Sequence, residues 1–481
     1  MKATFLTAAA LSLALHPAIA QVETTPPPPA APRQLQIPKP VEKTLSNGLR
    51  VIVIEKKGVP LVAARLLIKN GGEADPANLA GLADTTASLL TKGTTTKSAE
   101  EIARGIEALG ATLDTGAGWD ESSADVSVMS SKLPQALGFL ADVVRHPTFK
   151  QEEIDRLRQQ NVDALSVAMK QPGRLASFVM AHAIFGTTRY GHYLGGTPES
   201  LTRIKRDDIV DFHNEYYRPS NAILILGGDI APAQAFAIAQ ERFGGWKGAP
   251  EVARVLARAN EFPSPHVIVV DMPAAGQAAV VAGRPGLRRA DPAYYLSLVT
   301  NSILGGGYSS RLNEEIRIKR GLSYGAGSSF DLRRDVGPFT ATVQTKNESA
   351  GEVAGLVVDE LNKLGTTPVE DAELGPRKAV LIGGFGRQLE TNAGIVGRIG
   401  TLALYGLSLD EINRYISGVQ GITAADIQKF AAAHLGGNDA SIVIVGDAKK
   451  FLPTLQQRFK NVEVIPIDEL DVNSPTLRKA K

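Results

Sequence analysis

At 481 residues the chain exceeds one ordinary domain, and 43% hydrophobic with 21% charged residues is the balance of an ordered globular protein, not of a disordered or membrane-embedded one. A formal charge of +2 without a long Lys/Arg run excludes an electrostatic case for nucleic acid, and basic residues such as Arg203, Lys205 and Arg206 read as a solvated loop. With no cysteine, disulfides, thiol chemistry and a lipidated thiol are excluded as well.

Residues 1–20 carry Lys2, an apolar run over 3–15 and Ala18-Ile19-Ala20, the pattern of a cleavable signal peptide, so export to a bacterial periplasm is expected. That run is too short to cross a bilayer, and no later stretch approaches about eighteen continuous apolar residues, so no membrane span is expected. Residues 21–40 read as a Pro-rich linker, with five prolines between 24 and 33 and nothing to bury, the ordered body starting near Pro38.

The body contains an internal repeat. Asp208, Ile209, Phe212, Gly228 and Asp229 recur as Asp426, Ile427, Phe430, Gly446 and Asp447 at an offset of 218. Val51-Ile52-Val53-Ile54 and Asp75-Pro76-Ala77 are matched by Val267-Ile268-Val269-Val270 and Asp291-Pro292-Ala293 at an offset of 216. Two nearly equal offsets imply one duplicated domain: a first lobe over 41–248, a linker over 249–265, a second lobe over 266–468 and a polar tail over 469–481. Each copy runs strand, strand, helices, strands, helices, strand. Val51-Ile52-Val53-Ile54 is a β-branched strand, Ser98-Ala99-Glu100-Glu101 a capping box opening a helix through Leu109, 133–144 and 154–169 have helical spacing, and 125–128 alternates as a strand. The fold class is α+β, two homologous lobes, each expected to lay helices over one face of a mostly antiparallel sheet.

With these motifs the doubled lobe resembles the pitrilysin-like (M16) zinc peptidases and processing peptidases, in their small bacterial M16B branch, over roughly residues 41–468. In that family a first-lobe His-x-x-Glu-His helix binds zinc through two histidines while its glutamate activates water, and a later glutamate supplies the third protein ligand. Here the stretch from Gly81 to Thr94 keeps the frame, with Asp84, Ala87 and Ser88 at the three chemical positions. Counting onward places Ala164 at the third ligand and Leu157 at its acidic neighbour, so no zinc is expected in this chain. The remaining histidines, His146, His182, His192, His213, His266 and His434, form no local ligand pair. Asp84 and Ser88 at i, i+4 read as a polar pair, and no Gly-x-Ser-x-Gly elbow suggests a serine hydrolase.

In the second lobe, Gly305-Gly306-Gly307-Tyr308-Ser309-Ser310-Arg311-Leu312 precedes Arg317 and Gly321-Leu322-Ser323-Tyr324-Gly325. It lacks the residues of a phosphate loop. It resembles the family's substrate clamp, an arginine followed seven residues later by a tyrosine. The resemblance implies that Arg317 donates to a substrate carbonyl and Tyr324 to the oxyanion, with Gly305, Gly306 and Gly307 in the substrate-binding segment; Arg311 reads as structural. The implied function is the non-zinc, substrate-binding subunit of a heterodimeric periplasmic metallopeptidase acting on unfolded peptides. Zinc would come with a homologous partner bearing intact His-x-x-Glu-His. The alternatives are an inert scaffold, as family members have become in respiratory complexes, and a peptide-binding protein without turnover.

Overall fold

Val51-Ile52-Val53-Ile54 and 222–228 are apolar without alternation, the signature of strands buried on both faces. Both lie inside one sheet of a computed structural model that describes residues 37–248 and 262–480, all within one compact unit. The expected signal peptide and the 249–261 part of the linker lie outside the described residues.

The first lobe contributes β1 (Val41–Thr44), β2 (Arg50–Glu55), β3 (Leu61–Ile68), β4 (Thr112–Ala117), β5 (Ser122–Met129) and β6 (Ala222–Gly228), in the order β1-β2-β6-β3-β5-β4. The second contributes β7 (Val267–Asp271), β8 (Ala278–Pro285), β9 (Ser323–Phe330), β10 (Pro338–Thr345), β11 (Ser441–Gly446) and β12 (Val462–Pro466), in the order β12-β7-β11-β8-β10-β9. Five strands of each sheet correspond, with β2 parallel to β6 and β7 parallel to β11, so the duplication read from the offsets is the architecture. The sixth differs: β1 precedes its sheet and pairs antiparallel with β2, whereas β12 follows its sheet and pairs parallel with β7.

Local signals explain the elements. Ser98 and Glu101 form a reciprocal capping box at the helix Ala99–Ala108. Thr423 with Asp426 caps Ala424–His434, the repeat of Arg206–Tyr216, where Asp208 accepts from the Lys205 amide. The spacing at 133–144 and 154–169 becomes the helices Leu133–Arg145 and Gln151–Ala168. No described helix is long and apolar enough to cross a membrane.

The expected layering needs one correction, because each sheet is covered on both faces and the second cover comes from the other lobe. On its own side the first sheet packs against Leu133–Arg145 and Pro232–Phe243, and the second against Ala350–Thr366 and Ala448–Arg458. On the opposite side the first-lobe helix Pro172–Phe185 lies on β8 and β11, while the second-lobe helix Asn392–Leu404 lies on β3 and β6. Ile52, Ile54, Leu67, Ile223 and Ile225 are thereby packed in one cluster with Ile395, Val396 and Ile399. Glycine permits the close approach in both directions: a Cβ on Gly227 would meet Val396 Cγ2 at 2.7 Å, and one on Gly283 would meet Met180 Sδ at 2.6 Å.

Both presumed ends of the body are also tied down. Ile37, inside the stretch read as linker, is buried and its amide donates to Asn413 of the second lobe at 2.9 Å. The polar tail is not free of the fold: Leu470 and Leu477 are buried, and Thr197 donates to Asn473 at 3.0 Å. Composition concealed this because two leucines suffice to dock it.

Candidate functional site

The helix Leu82–Leu89 starts where Asp75 accepts the amides of Gly81 and Ala83, at 2.7 and 2.8 Å. A carboxylate on free N-terminal amides also complements the helix dipole. The helix packs against β4 and Arg206–Tyr216, burying Thr85, Thr86 and Ala87 and leaving Asp84 and Ser88 half-buried. Helix Gln151–Ala168 lies alongside, yet Ala164 is exposed and Leu157 packs into the core. The positions where a zinc site would lie thus offer one carboxylate, one hydroxyl and two methyl groups, which does not fit a tetrahedral nitrogen and carboxylate set. Among the described residues no group of three or more His, Cys, Asp or Glu is placed to hold a metal ion.

Sequence reading missed a buried polar knot between the lobes. Asp120, 1% exposed in the β4–β5 loop, accepts from Tyr190 Oη at 2.6 Å, Tyr405 Oη at 3.1 Å and the Arg334 amide at 2.7 Å. Arg334, in the corresponding β9–β10 loop, also donates to the Lys69 carbonyl at 3.0 Å and approaches Glu73 at 3.4 Å. Tyr190 and Tyr405 follow the two exchanged helices, at a separation of 215 residues close to the repeat offsets, which is the signal that could have found them.

Burial pushes the Glu73 carboxyl up to about 7, with the neighbouring Asp120 adding to the rise and the Gly71 amide and Arg334 opposing it. Asp75, Asp84 and Glu121 are raised as well, each chiefly by burial. The folded chain therefore holds protons that the unfolded chain has released. The Glu73 contribution to stability is expected to fall as pH rises from about 4.5 to about 7, against an opposing contribution from His182 and His213, whose pKa values burial lowers. Urea unfolding of the native chain and of Glu73→Gln across that window should show the native chain losing stability relative to the variant as pH rises; a difference that stays constant with pH contradicts the assignment.

In the second lobe the helix Tyr294–Leu304 ends in the glycine turn. The amides of Gly305 and Gly306 both donate to the Asn301 carbonyl, at 2.9 and 2.8 Å, so neither is available to a ligand. A Cβ on Gly305 would lie 2.3 Å from the Ser328 nitrogen, and one on Gly306 2.8 Å from Ser302 Cα. These two positions leave no room for a side chain, whereas Gly307 has more room, with Arg377 Nη1 at 3.7 Å. Arg311 pairs with Glu373 at 2.7 Å and is structural, as expected.

Arg317 sits on the π-helical turn Glu314–Lys319, a geometry frequent at functional sites. Its guanidinium lies 4.6 Å from the ring centroid of Tyr308, which is 65% exposed. Tyr324, on β9, is 87% exposed, far more than packing would leave a tyrosine. Tyr324 lines a cavity of about 600 Å³ with Gln171, Arg174, Gln277 and Gln344. Asp84 lines a second cavity of about 480 Å³, and the two share Ser177, Val281 and Thr342. The two cavities thus adjoin along the exchanged helix Pro172–Phe185, with Asp84 lining one and Tyr324 the other.

Residues 50–196 match the family description "Insulinase (Peptidase family M16)", and 203–381 match "Peptidase M16 inactive domain". The chain belongs to the M16 peptidase family. Among its M16 relatives, an uncharacterized zinc protease of Streptomyces coelicolor is 26% identical over 415 residues, covering 84% of this chain and 89% of its own length. The protein named non-peptidase homolog YmxG of Helicobacter pylori is 24% identical over 404 residues, covering 83% and 92%. A crystal structure titled as the peptidase M16 inactive domain from Pseudomonas fluorescens superposes with TM-score 0.80 at 29% identity, covering 85% of this chain and 98% of that one.

Proposed function

We propose that this M16 chain is the substrate-binding subunit of a heterodimeric periplasmic metallopeptidase that degrades unfolded peptides. One observation carries the reading: the first lobe has lost every zinc-binding and base position, while the second keeps Arg317 without an anionic partner among the described residues and Tyr324 held out in the open. A scaffold has no use for that pair. Arg317 offers a fixed fork of donors to a peptide carbonyl, and the Tyr324 hydroxyl a neutral donor to the developing oxyanion. The general-base glutamate and the histidines would belong to the partner, a homologous chain with intact His-x-x-Glu-His, whose histidines would hold a zinc able to activate water.

Mixing decides it. The purified chain alone is expected to leave an unfolded reporter peptide intact, the mixture with an exported His-x-x-Glu-His relative to cleave it, and a chelator to stop the cleavage. Turnover by the lone chain that survives the chelator contradicts the proposal. Peptide binding without turnover is the second reading, favoured by the two adjoining cavities within this one chain. It predicts affinity that no partner alters.

A further inference from the structure

The cavity beside Asp84 has apolar walls, among them Met180, Ile184, Phe185 and Val281, with Trp119 and Tyr193 adding aromatic faces. Besides Tyr193, three charge-bearing side chains reach it; Arg333 and His192 each have a carboxylate beside them, although Arg333 Nη1 and His192 Nε2 make no hydrogen bond. Arg333, 6% exposed, donates through Nε to Asp331 at 2.9 Å and through Nη2 at 2.6 Å, and its guanidinium lies 4.1 Å from the Trp119 ring centroid. His192 has Nε2 at 3.6 Å from Asp75.

Asp84 is different. Among the described residues it forms no ion pair, and the nearby charged group that acts on it is another carboxylate, Asp75. Largely buried carboxylates are found paired, since an uncompensated charge in an apolar setting is costly. Here the missing countercharge faces a cavity large enough for a long side chain and adjoining backbone.

We propose that this cavity is a subsite for a lysine or arginine side chain of a bound peptide, its charged head meeting Asp84 and its methylene stem lying on the apolar wall. The stem accounts for the apolar lining and the head for the unmatched carboxylate, as in other long basic side chains that bury their methylenes and keep a partner for the charge. The proposal rests on the reading that the chain binds peptides, and it names what those peptides carry. An altered zinc-motif position thereby becomes a specificity determinant, without any metal.

The test uses the full chain alone, so it does not depend on a partner or on turnover. The probe is a dye-labelled alanine-rich peptide with one central lysine, compared by fluorescence anisotropy with the same peptide carrying norleucine there. The native chain should bind the lysine peptide at least about tenfold more tightly. Asp84→Asn should bring the two peptides to parity and Asp84→Glu should keep a preference. Thermal melting checks that the Asn variant is folded; it is expected to melt no lower than the native chain, because it removes the repulsion with Asp75. Equal binding of both peptides by the native chain, or a preference retained in Asp84→Asn, overturns the subsite while leaving the peptide-binding reading intact. Failure of the native chain to bind either peptide overturns both.

Discussion

A chain ending at Gly248 is expected to aggregate when expressed alone, although it contains the whole first sheet and that sheet's own helices. Its outer face would expose Ile52, Ile54, Leu67, Ile223 and Ile225, all of which are at most 2% exposed in the full chain. Each such side chain is worth about 1.5–3 kcal/mol when buried. Five together rival the roughly 5–15 kcal/mol that holds an entire domain folded. A contiguous apolar face of that kind is also an aggregation site. Co-expression with residues 249–481 should restore solubility, since Asn392–Leu404 would again cover the face. The point version is Ile399→Ala, expected to cost about 2–5 kcal/mol. In hydrogen exchange the loss should appear in β3 and β6 of the first lobe as well as in the mutated helix. A soluble, cooperatively melting 37–248 fragment would show that the exchanged helix is not what stabilises the sheet.

In the reconstituted heterodimer, Tyr324→Phe is expected to lower kcat about 10²- to 10³-fold, the usual cost of removing one donor aimed at transition-state charge. Arg317→Ala should change both kcat and KM, because a guanidinium on a peptide carbonyl holds the ground state too. Neither substitution should weaken assembly beyond what sedimentation resolves. Tyr324 is nearly free of packing, and Arg317 contacts an exposed ring and no buried partner. Variants that assemble normally and cleave unfolded peptides at the native rate would reject the clamp and favour the scaffold.

The duplication was legible in the sequence because strands and caps must repeat for the fold to repeat, and the offsets of 218 and 216 survive in β6, β11 and the paired helices. The helix that carries Asp84 and Ala87 was legible because Gly81 and Leu82 open it, at Leu82–Leu89. The exchange of helices was not, since periodicity says that a face is buried and never by what. A hint lay in Pro172–Phe185, where Leu175, Ala176, Phe178, Val179 and Met180 are all buried and no narrow stripe separates apolar from polar. Asp120 had no signature either: a lone aspartate in a hairpin loop usually closes a turn, and only the second lobe's Arg334 and Tyr405 make it a junction.

The crossing of Pro172–Phe185 and Asn392–Leu404 has the geometry of a domain-swapped pair whose two copies have been spliced end to end. In such a pair one element can both join the copies and shape a pocket: Pro172–Phe185 packs on β8 and β11 and also walls the cavity that Asp84 lines. The faces that bind copy to copy are β3, β6, β8 and β11, while the zinc-motif helix Leu82–Leu89 stands on the far side of its sheet, against β4 and Arg206–Tyr216. Side chains on the outer face of that helix can therefore change while the buried faces of β3, β6, β8 and β11 keep the two copies locked in register.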